Sequence, residues 1–162
     1  MNKTKRKIFE TSMKLFADKG YDATSIEEIT ASVGVAKGTL YYHFSSKEEI
    51  FNFLIEEGMK LLKNSISIKT AKMTNSLDRL GAIVLIQIKI LFKYENFITI
   101  ILSQIWGNDD RSKMCRNYVF EYIQMIEEIV KEGIDKGEIV NKDATLIASG
   151  IFGFICSSFI YK

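Results

Sequence analysis

The chain contains no proline in its 162 residues, and this absence sets the first limit on its fold. Proline breaks helices, so a chain without it can form long helices that are interrupted mainly at glycine. Apolar residues also recur three and four positions apart along much of the sequence, which is the spacing of one helix face. Together these features predict an all-α fold.

The composition predicts a folded protein. Apolar residues make up 47% of the chain and aromatic residues 12%, which is enough for a sizeable core and excludes a disordered chain. The net charge of +2 neither favours nor excludes a nucleic-acid partner, because basic groups can be clustered. Cys115 and Cys156 lack metal-ligand spacing, and the basic start leads into an amphipathic pattern and not into a signal peptide. We therefore expect reduced cysteines and a cytoplasmic protein.

Glycine and capping residues divide the first third of the chain into short segments. Gly20 fits the position just past a helix end, and Gly34 fits a tight turn. Thr24 and Ser46 each stand three residues before a glutamate, which is the spacing of a capping box. These signals predict four helices, at about residues 3–19, 24–33, 36–43 and 47–65.

The third predicted helix has an unusual outer face. On a wheel of about 100° per residue, Leu40 and Phe44 fall together and must face the core. A glycine inside a helix costs about 1 kcal/mol relative to alanine, so Gly38 indicates that another surface approaches the backbone. Opposite Leu40 and Phe44 lie Gly38, Thr39 and Tyr42, with Lys37, Tyr41 and His43 on the flanks, so that the exposed face is polar, aromatic and basic. Two helices joined by a glycine turn, the second with such a face, are typical of a helix-turn-helix.

The segment LFADKGYDATSIEEITASVGVAKGTLYYHFSSKEEIF resembles the DNA-binding domain of the TetR family of bacterial transcriptional repressors, AcrR-like regulators included. The matching motif is F…G…T followed by I…A…GV…G.LY.HF..KE.L, with Ile50 in place of the usual leucine. The resemblance implies a homodimer whose two heads bind an inverted-repeat operator in double-stranded DNA. It divides the chain into a DNA-binding domain, 1–46, and a helical ligand-binding and dimerisation domain, 47–162, in which helix 47–65 connects the two.

The resemblance also assigns DNA-contacting positions. Lys37 and Thr39 match positions that can reach base edges, and Gly38, Tyr41 and His43 share their recognition helix. Tyr41 could equally pack between helices, and His43 could be favoured by the dipole at a helix C-terminus. The positions that commonly hold phosphates are Thr24, Ser25, Tyr42 and Lys47. Lys47 also lies at a predicted helix N-terminus, which suits an anion.

The part of the chain after about Ser76 is strongly apolar but has no specific motif. We expect helices up to about Phe97, up to Gly107 and over about 111–136, and a last helix capped by Asp143. The resemblance implies a cavity for a small-molecule effector among the middle helices, and the low charge of these segments favours an apolar ligand. A stripe of aromatic and methionine residues at helical spacing is more often plain core. The candidate lining residues are Phe92, Phe97, Ile101, Trp106, Met114, Tyr118 and Tyr122.

The last predicted helix carries no charged residue from Ala144 to Tyr161 and is long enough for a membrane span. We prefer a dimerisation helix, because a monomer would expose an apolar patch too large for a soluble protein. The candidate dimer residues are Ile147, Gly150, Ile151 and Phe154. Members of the resembling family usually pair two C-terminal helices per subunit. We expect the second of them to be missing here, so that either the sequence is truncated or the dimer uses the remaining helices differently.

No residue pattern indicates an enzyme. The chain has one histidine, and it lacks a nucleophile elbow, a metal-ligand cluster and a glycine-rich phosphate loop. We predict no cofactor and no metal. The leading hypothesis is a sequence-specific transcriptional regulator, by default a repressor that a small ligand releases from DNA. The alternatives are the same role controlled by a partner protein or by no ligand, and a nonspecific architectural DNA binder.

Overall fold

The computed structural model describes residues 1–158, and every regular element among them is an α-helix, as predicted. The helices are α1 (Lys3–Lys19), α2 (Ile26–Val33), α3 (Lys37–His43), α4 (Lys47–Thr70), α5 (Ser76–Lys93), α6 (Glu95–Gln104), α7 (Asp110–Asp135) and α8 (Ala144–Ser158). The end of the last predicted helix, at residues 159–161, lies outside the described part. Within that part, no helix is both long and apolar enough to cross a bilayer.

Side-chain caps determine where several helices begin. Ser46 accepts a hydrogen bond at 3.0 Å from the amide three residues on, and Asp143 accepts one at 3.1 Å from the amide of Leu146, as expected. The predicted cap of α2 was wrong by one residue. Ser25, and not Thr24, accepts the bond from the amide of Glu28, at 3.1 Å.

The chain forms two compact units that differ from the predicted domains. The first consists of residues 1–58 and 94–113, and the second consists of residues 59–93 and of the described residues from 114 onward. The predicted boundary at residue 46 lies inside the first unit because Ile50, Phe51 and Leu54 of α4 are buried. The polar stretch 63–76 lies inside the second unit, and α4 continues through it to Thr70.

In the first unit, α3 packs against a core of aromatic and aliphatic side chains. Leu40 and Phe44 are buried as predicted, and the Phe44 ring meets Phe53 of α4 edge to face at 5.5 Å between centroids. The α1 helix packs against α2, α3 and α6. Gly34 ends α2 in the left-handed conformation (φ 76°), where its amide donates to the carbonyl of Thr30. This turn and this core fix which face of α3 is exposed.

The second unit is tied together at the start of α5. The amide of Ser76 donates to the Glu138 carboxylate at 2.7 Å, and Arg79 forms an ion pair with Glu132 of α7. In α7, Tyr122 packs edge to face against Phe152 of α8, at 6.1 Å between centroids. The α5 helix also contacts α8, so α5, α7 and α8 form one packed group.

A glycine allows close packing between α4 and α6 in the first unit. A Cβ at Gly58 would overlap the ring of Phe97, which is itself buried. We expect Gly58→Ala to lower the free energy of unfolding by about 1–3 kcal/mol, because overpacking outweighs the better helix propensity of alanine. Urea unfolding measures this change. Gly81→Ala in α5, where a Cβ meets nothing within 4 Å, is the matched control and should not destabilise. Equal stability of the two variants would contradict the packing role.

Candidate nucleic-acid interface

The outer face of α3 is the most distinctive surface of the first unit. Tyr42 is 84% exposed and Tyr41 is 45% exposed, so Tyr41 is not enclosed between helices. Lys37 and Gly38 are exposed, whereas Thr39 and His43 are half-buried. The ring of His43 lies 5.0 Å from the Tyr42 ring, between centroids. The structure thus places all six predicted recognition-helix residues on or beside one accessible face.

Gly38 leaves a gap in this face. Its backbone is helical, and a Cβ built on it would meet nothing within 4 Å in the described part of the chain apart from its own helix backbone and its two chain neighbours. Packing inside the chain therefore does not require glycine at this position. The absence of a side chain leaves room for an external surface to approach the helix backbone.

The ammonium group of Lys37 is paired within the unit. It lies 2.6 Å from the carboxylate of Glu27, and both side chains are mostly exposed. This hydrogen bond and the charge of the partner raise the pKa of Lys37 and lower that of Glu27. Exposed pairs of this kind contribute little to stability, so a phosphate or a base edge can readily replace Glu27.

Lys47 and Thr24, both predicted to hold phosphates, make hydrogen bonds inside the unit. The Lys47 ammonium donates to the carbonyls of Tyr21 and Thr24, at 2.8 Å each, which leaves one N–H for an outside acceptor. Thr24 is only 1% exposed, and its hydroxyl donates to the Gly20 carbonyl at 2.8 Å. A phosphate contact through the Thr24 side chain would need this packing to open, so the structure gives Thr24 an internal role. Ser25 is exposed beside it.

The N-terminus of α4, expected to suit an anion, already has a carboxylate beside it. Glu49 accepts hydrogen bonds from the amide of Ser45 at 2.6 Å and from its hydroxyl at 2.5 Å. These bonds lower the pKa of Glu49, which therefore stays charged near neutral pH. A phosphate at this end must share the site with that negative charge, and Lys5 is the cation whose charge helps to lower the pKa of Glu49.

Two basic residues of α1 have structural roles that sequence reasoning missed. Lys7 donates to the carbonyl of Val33 at 2.7 Å, next to the glycine turn of the helix-turn-helix. The Lys5 ammonium lies 4.8 Å from the Phe44 ring centroid and 4.4 Å from that of Phe53. Both residues therefore support α2 and α3. No local signal could reveal this, because Lys7 and Val33 are 26 positions apart.

The predicted ligand-lining residues are divided between the two units. In the first unit Phe97 and Ile101 are buried, but Trp106 is 85% exposed and encloses nothing. The rest belong to the second unit, where Phe92 is exposed, Met114 and Tyr118 are half-buried, and Tyr122 is buried. Among the residues described, the Tyr122 hydroxyl has no hydrogen-bond partner. Burial raises the pKa of this phenol, which is therefore neutral.

Two cavities within the second unit have other linings. A groove of ≈ 950 Å³ runs along α4 and α5, where it is bordered by Ile68, Leu77 and Leu85. A cavity of ≈ 290 Å³ between α4, α5 and α7 includes the charged pair Arg79 and Glu132. Neither cavity is lined by a residue of the predicted ligand set. Within the described part of the chain, no group of histidine, cysteine and acidic side chains could hold a metal ion.

The predicted dimerisation residues lie on α8. Ile147 and Ile151 are half-buried, whereas Gly150 and Phe154 are exposed. Leu146, which was not predicted, is also exposed, as is Phe120 of α7. An apolar surface therefore remains on the outside of this unit.

Comparison with known proteins identifies the fold and the family. A family model described as bacterial regulatory proteins, tetR family, matches residues 8–54. A solved structure of a candidate fatty acid metabolism regulator from Clostridium perfringens is 37% identical, with a TM-score of 0.90. That similarity covers 96% of this chain and 84% of the other. The chain belongs to the TetR family.

Two further comparisons agree with TetR-family membership. The biofilm operon negative transcriptional regulator IcaR of Staphylococcus aureus is 38% identical over 76 residues, which are 47% of this chain. The match spans only 41% of the length of IcaR. A candidate TetR-family regulator from Syntrophomonas wolfei is 27% identical, with a TM-score of 0.79, over 96% of this chain and 81% of the other. These relatives are regulators and not enzymes.

Proposed function

We propose that this TetR-family chain is a sequence-specific DNA-binding transcriptional repressor of the cytoplasm. The observation that carries the proposal is the outer face of α3, where Tyr41, Tyr42 and Lys37 surround the bare backbone at Gly38. The buried Leu40 and Phe44 hold this face outward. A short helix of this kind, presented after a glycine turn, fits the major groove of DNA.

The roles of the individual residues follow from their exposure and charge. Lys37 and Thr39 contact base edges, while Tyr41 and His43 flank them in the groove. Ser25, Tyr42 and the remaining N–H of Lys47 hold phosphates, which positions the head on the duplex. Two heads bind an inverted repeat when two copies pair through the apolar face of α8, which includes Gly150, Ile151 and Phe154.

A small apolar molecule releases the repressor from DNA. The likeness to a fatty acid metabolism regulator, at 37% identity, supports an acyl ligand. The buried hydroxyl of Tyr122, which has no hydrogen-bond partner among the described residues, offers a polar contact for the head of such a ligand. Release is a population shift, because the ligand favours the conformation that binds DNA poorly. The alternative is the same DNA-binding role under the control of a partner protein or of no ligand.

A footprint on the DNA upstream of the protein's own gene tests the DNA-binding role. The experiment uses purified protein at near-physiological salt with excess competitor DNA, because nonspecific affinity depends strongly on salt. We expect a protected inverted repeat. Diffuse protection that competitor DNA removes would instead support an architectural DNA binder. The protected fragment then serves as the probe for release by fatty acids and acyl-CoA esters of increasing chain length, and failure of all of them would favour control by a partner.

Gly38→Ala should change operator affinity and stability in opposite directions, so it distinguishes an effect on DNA binding from an effect on folding. The added methyl group meets nothing within 4 Å among the described residues beyond its own helix backbone and chain neighbours, and alanine is the better helix former by about 1 kcal/mol, so stability should rise. Operator affinity should fall several-fold, because the methyl group fills the gap that the DNA approaches. Thermal unfolding and fluorescence anisotropy measure the two effects. Gly81→Ala in the second unit should raise stability without changing affinity, and an affinity gain in Gly38→Ala would disprove the close approach.

A further inference from the structure

The loop of residues 20–25 between α1 and α2, here called the α1–α2 loop, is held from two directions. Lys47 of α4 binds two of its carbonyls, as described above. Arg111 of α7 also contacts it. The guanidinium carbon of Arg111 lies 3.9 Å from the ring centroid of Tyr21, and its Nη2 atom lies 3.2 Å from a carboxylate oxygen of Asp22.

Arg111 is itself fixed in the first turn of α7. Its Nη2 atom donates to the carboxylate of Asp109 at 2.7 Å, and the same carboxylate accepts a bond from the amide of Ser112 at 2.8 Å. The hydrogen bonds from Ser112, followed by that from Arg111, lower the pKa of Asp109 to about 2. The Arg111 side chain is only 19% exposed. The guanidinium group is thus held in place on its own helix and on the loop together.

Tyr21 links Arg111 to the residues that we propose to bind DNA. Its ring packs against Phe16 and Phe51 and lies 4.2 Å from the Lys47 ammonium, measured from the ring centroid. Its carbonyl accepts a bond from Lys47 at 2.8 Å and one from the amide of Thr24 at 3.2 Å. A shift of Tyr21 would therefore move the Lys47 ammonium and Ser25, the cap of α2.

We propose that Arg111 is a positioning residue for DNA binding, which clamps Tyr21 and Asp22 so that Ser25 and Lys47 are correctly placed for DNA phosphates. The inference rests on the DNA-binding role proposed above. Arg111 acts through the α1–α2 loop and not by touching DNA, since its guanidinium group lies against Tyr21 and two carboxylates. Its planar group suits stacking and forked hydrogen bonding, which a lysine ammonium cannot reproduce.

The test compares three variants on the footprinted repeat. Arg111→Ala should weaken operator binding about tenfold, the scale of a desolvated cation–π contact. Lys113→Ala removes the same charge two residues away, from an exposed pair with Asp110, and should leave affinity within about twofold. Arg111→Lys keeps the positive charge but lacks the planar group that stacks on Tyr21. Its operator affinity should therefore lie between those of the other two variants. Affinities are corrected for the folded fraction from urea unfolding, so that a merely structural loss is not counted.

Hydrogen exchange supplies a readout that needs no DNA. The amide of Thr24, which donates to Tyr21 within the loop, should exchange faster in Arg111→Ala but not in Lys113→Ala. Unchanged exchange would overturn the proposal, and so would an unchanged affinity of the folded Arg111→Ala variant. Equal losses in Arg111→Ala and Lys113→Ala would also overturn it, because they would reflect charge alone. Absence of any protected repeat with the wild-type protein would refute the DNA-binding role, while exchange would still show whether Arg111 holds the loop.

Discussion

Leu40→Ala should destabilise the first unit by about 2–5 kcal/mol, the range for truncating a fully buried leucine. Leu40 has no exposed surface and lies on the inner side of α3, which has only seven residues. A helix this short has little stability of its own and depends on tertiary packing. Loss of the Leu40 side chain should therefore loosen the whole recognition helix. Urea unfolding, followed by circular dichroism, measures the change in the free energy of unfolding.

The control for this variant is Leu61→Ala, which makes the same chemical change at a position that is 45% exposed. Surface substitutions away from special features usually change stability by less than about 0.5 kcal/mol. A Leu40→Ala variant as stable as Leu61→Ala would show that α3 is not anchored through this side chain. The structural argument for the outward face of α3 would then fail.

Tyr42→Ala should weaken operator binding by about 1–3 kcal/mol, which is roughly 5- to 150-fold. Tyr42 is the most exposed of the α3 aromatic residues, so its truncation should change stability by less than about 0.5 kcal/mol. Fluorescence anisotropy with the footprinted repeat gives the affinity, and urea unfolding gives the stability. Operator affinity equal to that of the wild type would remove Tyr42 from the DNA-binding surface.

Tyr42→Phe identifies the group that makes the contact. The variant keeps the ring and loses only the hydroxyl group. If the hydroxyl donates to a phosphate, Tyr42→Phe should lose most of the affinity that Tyr42→Ala loses, and the loss should be similar for specific and nonspecific DNA. Operator affinity of Tyr42→Phe equal to that of the wild type would instead indicate that the ring packs in the groove of the DNA.

The sequence predicted most of the local structure because its signals are local. Gly20, Ser46 and Asp143 marked helix ends correctly, since a cap or a stop depends on a few neighbouring residues. The wheel placed Leu40 inside and Tyr42 outside, because the helical period alone determines which positions share a face. The error at Thr24 is of one residue, since Thr24 and Ser25 can both serve as caps and only their surroundings decide.

The two-unit organisation and the ligand region could not be predicted in the same way. Residues 94–113 belong to the same unit as the helix-turn-helix, although some 35 residues separate them from the first part of that unit. No change of composition along the chain indicates this. Trp106 fits an aromatic stripe in the sequence, yet it is 85% exposed. A stripe shows that residues share a helix face but not what that face meets.

The sequence by itself determined the all-α fold, the helix-turn-helix and the exposed face of α3, because caps, glycine turns and the helical period act over a few residues. Only the tertiary structure decided which polar side chains are already buried or bound to other groups of the protein. Lys7 caps α2, Thr24 is buried, Lys47 holds the α1–α2 loop, and Arg111 holds it from α7. These contacts join residues that are distant in sequence, and their geometry exists only once the helices have packed.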